Sequence, residues 1–166
     1  MTWGRNVESE QTSGSANGGM LALLAFVLAG LAFAPGCGSS QEVDVQDDKS
    51  AQNLQQIGAA YTQAGLKLGR PPRQADDLHE LLKSAGNPDP ESVLRSPDDN
   101  ENYVIVWGID FGQLARTTGH VDYVIAYEQR GKNGKRHVLK PPSIVLLMTD
   151  EEFQAAKFPP GHTPTP

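Results

Sequence analysis

The chain has 166 residues, with 20 acidic against 14 basic side chains and a formal net charge of -6 at pH 7. That length accommodates one ordinary domain with a targeting segment and a tail, and excludes a second full core. The acidic balance excludes a general affinity for nucleic acid or for anionic lipid headgroups. Its 17 glycines and 12 prolines gather at 13–19, 35–38, 69–72, 88–97, 131–134 and 159–166, and these clusters bound the candidate elements.

Residues 20–34, MLALLAFVLAGLAFA, carry no charge and no polar side chain, and Pro35, Gly36 and Cys37 follow at once. A bilayer crossing needs about 20 residues, whereas a secretory h-region has about 7 to 15 closed by small residues. The run therefore reads as a signal segment. Its closing residues resemble the lipobox of bacterial lipoproteins, with Ala34 where leucine is commonest and Pro35 where a small or β-branched residue is usual. The resemblance implies that the Cys37 thiol takes a diacylglyceryl group, that the chain is cut after Gly36, and that the new α-amine is acylated. Cys37 is the only cysteine, and lipidation accounts for a leftover thiol in an exported protein. Two acyl chains suffice for anchoring, at about 0.8 kcal/mol per buried methylene. The n-region has only Arg5, opposed by Glu8 and Glu10, which leaves a start at Met20 open. An uncleaved anchor over 20–38 and a buried core helix are the other readings of the run. No Lys or Arg follows it until Lys49, so the domain is expected on the exported side.

Residues 41–49 are acidic and poor in large apolar side chains, and read as a tether. From Ser50, an acceptable N-cap, Leu54, Ile57, Tyr61, Ala64 and Leu68 recur at helical spacing until Gly69. Arg70-Pro71-Pro72 is expected to be extended. Asp77 and Glu80 have capping-box spacing for a helix carrying Leu78, Leu81 and Leu82 up to Gly86. A short turn is expected at 91–94, and strands at 103–107 (YVIVW) and 123–127 (YVIAY). Asn133-Gly134 suits a tight hairpin turn. A strand at 143–148 leads into Thr149-Asp150-Glu151-Glu152, a capping box for a last helix carrying Phe153 and Ala156. Residues 159–166 read as a disordered or extended tail. The expected division is a signal peptide at 1–36, a lipidated start and tether at 37–49, a domain at 50–158 and a tail at 159–166.

The order of a long helix containing Asn53-Leu54-Gln55-Gln56-Ile57-Gly58, then Gly69-Arg70-Pro71-Pro72, then an antiparallel sheet resembles bacterial prepilin-like proteins of the type II secretion G-type family. Ala126-Tyr127-Glu128, Gly131, Arg136-His137-Val138-Leu139, Ile144-Val145 and the stretch from Met148-Thr149 to Phe153 follow the family's final hairpin and helix. The resemblance spans roughly 51–158 and implies an α+β fold with an N-terminal helix packed on a small antiparallel sheet. Two departures stand out. Pro141-Pro142-Ser143 takes the place of the family's Asp-Gly-His turn, and Gly19-Met20-Leu21 lacks the peptidase-site phenylalanine and glutamate. The second departure favours a pilin-like domain placed on a lipid anchor over assembly through a membrane helix.

Candidate chemistry is sparse. His79, His120, His137 and His162 lie far apart without the i, i+4 spacing of a helical metal site, and each is expected on the surface or in a hairpin. Asp98, Asp99, Asn100 and Glu101 offer oxygen ligands for calcium, but as a loop without EF-hand glycine or glutamate they read first as a solvated turn. The G-type family holds calcium in a loop, and those ligands do not map onto these positions. No nucleophile elbow, phosphate cradle or second cysteine is present. Arg130, Lys132, Lys135, Arg136 and Lys140 form a local basic cluster, read either as a charged hairpin tip guarding strand edges or as a docking point for an acidic envelope protein or polymer. Trp107 and Tyr127 are expected in core or cross-strand packing. The sequence thus points to a membrane-anchored envelope lipoprotein with a non-catalytic binding or scaffolding domain and no cofactor. The alternative is a pseudopilin-like subunit of a secretion or pilus assembly that keeps its membrane helix. A small hydrolase would need His79, His120 or His137 to meet an acid in a cleft.

Overall fold

The computed structural model describes residues 41–42, 48–119 and 122–164. The signal segment, Cys37, most of the tether, His120 and the last two residues lie outside the described residues. Among the described residues no helix is long and apolar enough to cross a membrane.

The fold is α+β. Five antiparallel strands, β1 (Gln41–Glu42), β2 (Val104–Ile105), β3 (Ala126–Tyr127), β4 (Lys135–Lys140) and β5 (Ile144–Thr149), are ordered β1-β5-β4-β3-β2. Helix α1 (Lys49–Leu68) crosses one face. Its buried stripe, Leu54, Ile57, Tyr61 and Ala64, forms one core with Ile125, Ala126, Leu139 and Val145 of the sheet side and with Leu78 and Leu82 of α2 (Asp76–Ser84). On the other face Tyr127, Val138 and Met148 pack with Phe153 of α5 (Asp150–Gln154) and with Phe158. Successive side chains of β4 therefore serve opposite layers, as a strand's period of two requires.

Several local signals act as the sequence suggests. Asn133 and Gly134 both have positive φ (56° and 70°), and Lys132 and Lys135 exchange backbone hydrogen bonds across them. Thr149 and Glu152 form the reciprocal capping box of α5. The short helix α3 (Pro90–Val93) stands where a turn was expected.

Other expectations need correction. The N-cap of α1 is Asp48, whose side chain accepts from Ala51 N at 3.0 Å, while Ser50 is buried in the first turn. Ala75 caps α2 without a side-chain bond, because Asp77 is committed to the Arg70 guanidinium (3.1 and 3.2 Å) and to Arg73 N (2.7 Å). The strands expected at 103–107 and 123–127 shrink to two residues each, since Tyr103 N bonds Leu94 O and Val124 N bonds Lys157 O outside the ladder. A helix that the hydrophobic pattern did not suggest, α4 (Phe111–Thr118), sits between β2 and β3, capped by Asp110 and ended by Gly119. The tail does not extend away from the domain: Pro159 is buried, and His162 meets the Tyr127 hydroxyl at 3.0 Å.

Gly58 explains one phrase of α1. A Cβ there would stand 2.8 Å from Pro142 O in the β4–β5 turn and 3.2 Å from Leu139 Cδ2, so the helix approaches the sheet only because the side chain is missing. At Gly65 a Cβ meets nothing within 4 Å. Gly65→Ala is therefore expected to stabilise by about 0.5–1 kcal/mol through helix propensity. Gly58→Ala, with the same propensity gain, is expected to lose about 1–3 kcal/mol to overpacking. Chemical denaturation of the two variants side by side checks this; equal stabilities would refute the close approach.

Candidate functional site

Four segments bring their polar side chains to one buried point. Asp48 and Ser50 come from the start of α1, Ser96 and Asp98 from the loop before β2, Glu128 from the residue after β3, and His137 from β4. The β4 alternation puts His137 on the α1 face with Leu139, and Arg136 on the α5 face with Val138. Glu128 follows the buried pair Ala126–Tyr127 with 1% exposure, and His137 has 3%. His137 thus meets the hairpin alternative of its expectation and not the surface one.

Both oxygens of Glu128 are satisfied. Oε1 accepts from the hydroxyls of Ser50 and Ser96, the latter at 2.7 Å. Oε2 accepts from His137 N at 2.7 Å and lies 3.1 Å from His137 Nδ1. The Tyr103 hydroxyl sits 2.8 Å from Ser50 Oγ and donates to Ser50 O at 3.1 Å. Around the ring, Asp98 Oδ2 is 3.6 Å from Nδ1 and Asp48 Oδ2 is 3.1 Å from Nε2.

Burial by itself would push Glu128 up. The ring and backbone N–H of His137 and the two serine hydroxyls outweigh it and hold the carboxyl below its usual range. His137 shows the mirror effect: burial pushes it down, but the bond to Glu128 and the charges of Glu128, Asp48 and Asp98 raise it. Asp98 is raised by burial and by the repulsion of Glu128.

Asp98, Glu128 and His137 offer three ligand atoms within 4.8 Å of one another, a spacing that a small cation requires. Protein donors already occupy both Glu128 oxygens, so the carboxylate is engaged in a hydrogen-bonded ion network. Nor is it a nucleophilic triad: Ser50 and Ser96 give their protons to Glu128 and not to the imidazole.

The loop at 98–101 does not gather its oxygens for calcium. Asp99 Oδ1 accepts from Glu101 N at 3.0 Å, while Oδ2 accepts from Arg130 N (2.9 Å) and Gly131 N (3.1 Å), tying the loop to the hairpin. Asn100 adopts positive φ and bonds Ser96 O, and Glu101 pairs with Arg130 at 3.3 Å. Only Asp98 turns inward.

The basic cluster also separates. Arg136 is buried, paired with Asp150 at 2.8 Å, and lies 4.2 Å over the Phe153 ring. Lys140 pairs with Asp122 at the far end of β4 from Lys135, and Lys132 faces Asp98 at 3.9 Å. The five cations are thus divided: Arg130 and Lys132 lie in the turn region before β4, and Lys135, Arg136 and Lys140 are spread along β4, with Arg136 turned inward. Of the other histidines, His79 lies 3.0 Å from Glu91 and 3.4 Å from Asp76 near the surface.

A separate cleft of about 430 Å³ opens between α1 and the start of α4, with Tyr61, Leu66, Pro71, Pro72, Ile109 and Phe111 among its walls. Tyr61 stacks on Phe111 (5.1 Å) and Trp107 (6.3 Å), and its hydroxyl, pushed up to about 12 by burial, bonds Val106 O and Ile109 N. Trp107 and Tyr127 both pack as expected, Tyr127 against Phe153 and Phe158. No histidine, serine or cysteine lines the cleft.

No protein-family model, no curated protein and no solved structure matches the chain.

Replacing one partner of a buried charge pair leaves the other uncompensated. Glu128→Gln is accordingly expected to cost about 3–5 kcal/mol, and Arg130→Gln, at an exposed pair, less than about 1 kcal/mol. Denaturant unfolding of both variants measures the contrast, and similar losses would show that the Glu128 charge is not what holds the network.

Proposed function

We propose that the chain is a lipoprotein of a bacterial envelope, anchored through Cys37 on the exported side of a membrane, whose pilin-like domain binds or scaffolds without catalysis. The observation that carries this reading over a subunit with an intact membrane helix is the extended strand β1. Gln41 and Glu42 pair with Leu147 and Leu146 at the sheet edge, so helical backbone does not run from the apolar segment into α1. A chain that joins its domain as a strand suits a flexible lipidated start better than a rod passing from bilayer to fibre.

Two further features support the non-catalytic part. The one assembly of serine, histidine and carboxylate among the described residues is internally bonded and buried. The cleft, by contrast, has mainly apolar walls, and its polar lining residues, Thr62, Arg70 and Asp110, include no imidazole or thiol. A helix on an antiparallel sheet, closed by a hairpin and a short capped helix, supports the pilin-like description.

Growth with an alkyne fatty acid is expected to label the wild-type chain and not Cys37→Ser. The intact mass of the membrane-extracted protein is expected to correspond to a start at Cys37 plus acyl groups. Equal labelling of the two proteins would defeat the anchor, and a mass retaining residues 20–34 would identify the pseudopilin-like alternative.

A further inference from the structure

His137 is faced by carboxylates on both sides of its ring, and they come from different parts of the chain. Asp48 belongs to the cap of α1, Asp98 to the loop before β2, and Glu128 to the end of β3. Other ionisable groups nearby are Lys132, 3.9 Å from Asp98 at the rim, and Arg136, which is on the opposite face of β4 and engaged by Asp150. From β5 the residue paired with His137 is Leu147, which carries no charge.

The two ring nitrogens are not equivalent. Nδ1 has a hydrogen-bonding partner in Glu128 Oε2 at 3.1 Å. Nε2 is close to Asp48 Oδ2, at 3.1 Å, yet makes no aligned hydrogen bond, so the attraction there is mainly of charge for charge. We infer that His137 is a proton-operated latch: its charged ring fastens the start of α1 to the sheet through Asp48, and loss of the Nε2 proton releases that fastening. After the loss, a nitrogen lone pair faces a carboxylate, and three carboxylates stand around a neutral, buried ring. Asp48 also caps α1 by accepting from Ala51 N through Oδ1, so release of its other oxygen acts directly on the cap and loosens the first turn of α1.

The sign follows from linkage. His137 is raised in the folded protein, so its contribution is complete below the ordinary histidine value of about 6.5 and disappears as pH rises through the folded value. Glu128 is lowered, so its contribution is present above the ordinary glutamate value of about 4.3 and disappears as pH falls through the folded value. Between those limits the latch is fastened; on the alkaline side it opens.

The test uses the full chain in detergent micelles. Histidine-labelled NMR is expected to place the His137 titration above 6.5. Hydrogen exchange at the amides of residues 52–54, corrected for the intrinsic effect of pH, is expected to lose protection, by at most about tenfold per pH unit, as pH rises toward that titration point and then level off. Asp48→Asn retains a capping oxygen while removing the charge, and is expected to flatten this slope. A titration at or below 6.5, protection that does not change with pH, or a wild-type slope in Asp48→Asn would each overturn the latch. The NMR titration stands on the wild-type protein alone, whatever the variant's stability.

Discussion

The buried pair of Glu128 and His137 is the constraint around which the domain is arranged. Taking two charges out of water is costly, and the cost is offset only where geometry and extra hydrogen bonds are good. Here Glu128 receives two hydroxyls, a backbone N–H and a ring nitrogen. The two serine donors fix segments outside the sheet, and His137 fixes Glu128 against β4. Ser96 sets the loop after α3, Ser50 sets the start of α1, and His137 N and ring set the hairpin exit. A purely apolar centre would bind the same segments together with far less control over their register.

β4 carries that arrangement to both layers. His137 and Leu139 face α1, whereas Arg136 and Val138 face α5, where the guanidinium lies between Asp150 and the Phe153 ring. One six-residue strand therefore places a cation in each layer, each with its own carboxylate. The inward use of charge leaves the hairpin surface with short, local ion pairs such as Arg130 with Glu101. Leu66, at 82% exposure, beside Pro71, Pro72 and Phe111, gives the cleft its apolar character.

What the sequence reveals here is what neighbouring residues decide. Leu54, Ile57, Tyr61 and Ala64 declare α1 through their spacing, Asn133-Gly134 declares a turn through φ, and Thr149 with Glu152 declares a cap. The network was not legible in this way. Ser50 meets Glu128 across 78 positions, and Ser96 meets it across 32, distances at which no local spacing is informative. A weaker signal was present: Glu128 closes an apolar run, and His137 stands directly before Val138 and Leu139, where a polar residue is out of place unless it has a partner. The basic cluster failed for the complementary reason. Within β4, Lys135 and Arg136 are neighbours in sequence but point to opposite faces, since adjacent side chains of a strand point apart, and Arg130 and Lys132 lie outside the strand. Helix α4 escaped notice because its eight residues bury only Leu114, too few for a periodic signal, although Asp110 and Gly119 mark its ends.

Strand β1 has an effect beyond the way the chain comes into the domain. It occupies Leu146 and Leu147 on the outer side of β5, and β2 ends the opposite side with only Val104 and Ile105. Among the described residues, the strands at both margins of the sheet are two residues long, and each offers a neighbouring molecule little main chain to copy. Side-by-side growth of a shared ladder is disfavoured by this construction. At those two strands, contact with a neighbour falls mainly to side chains, whose identities can be selected one residue at a time.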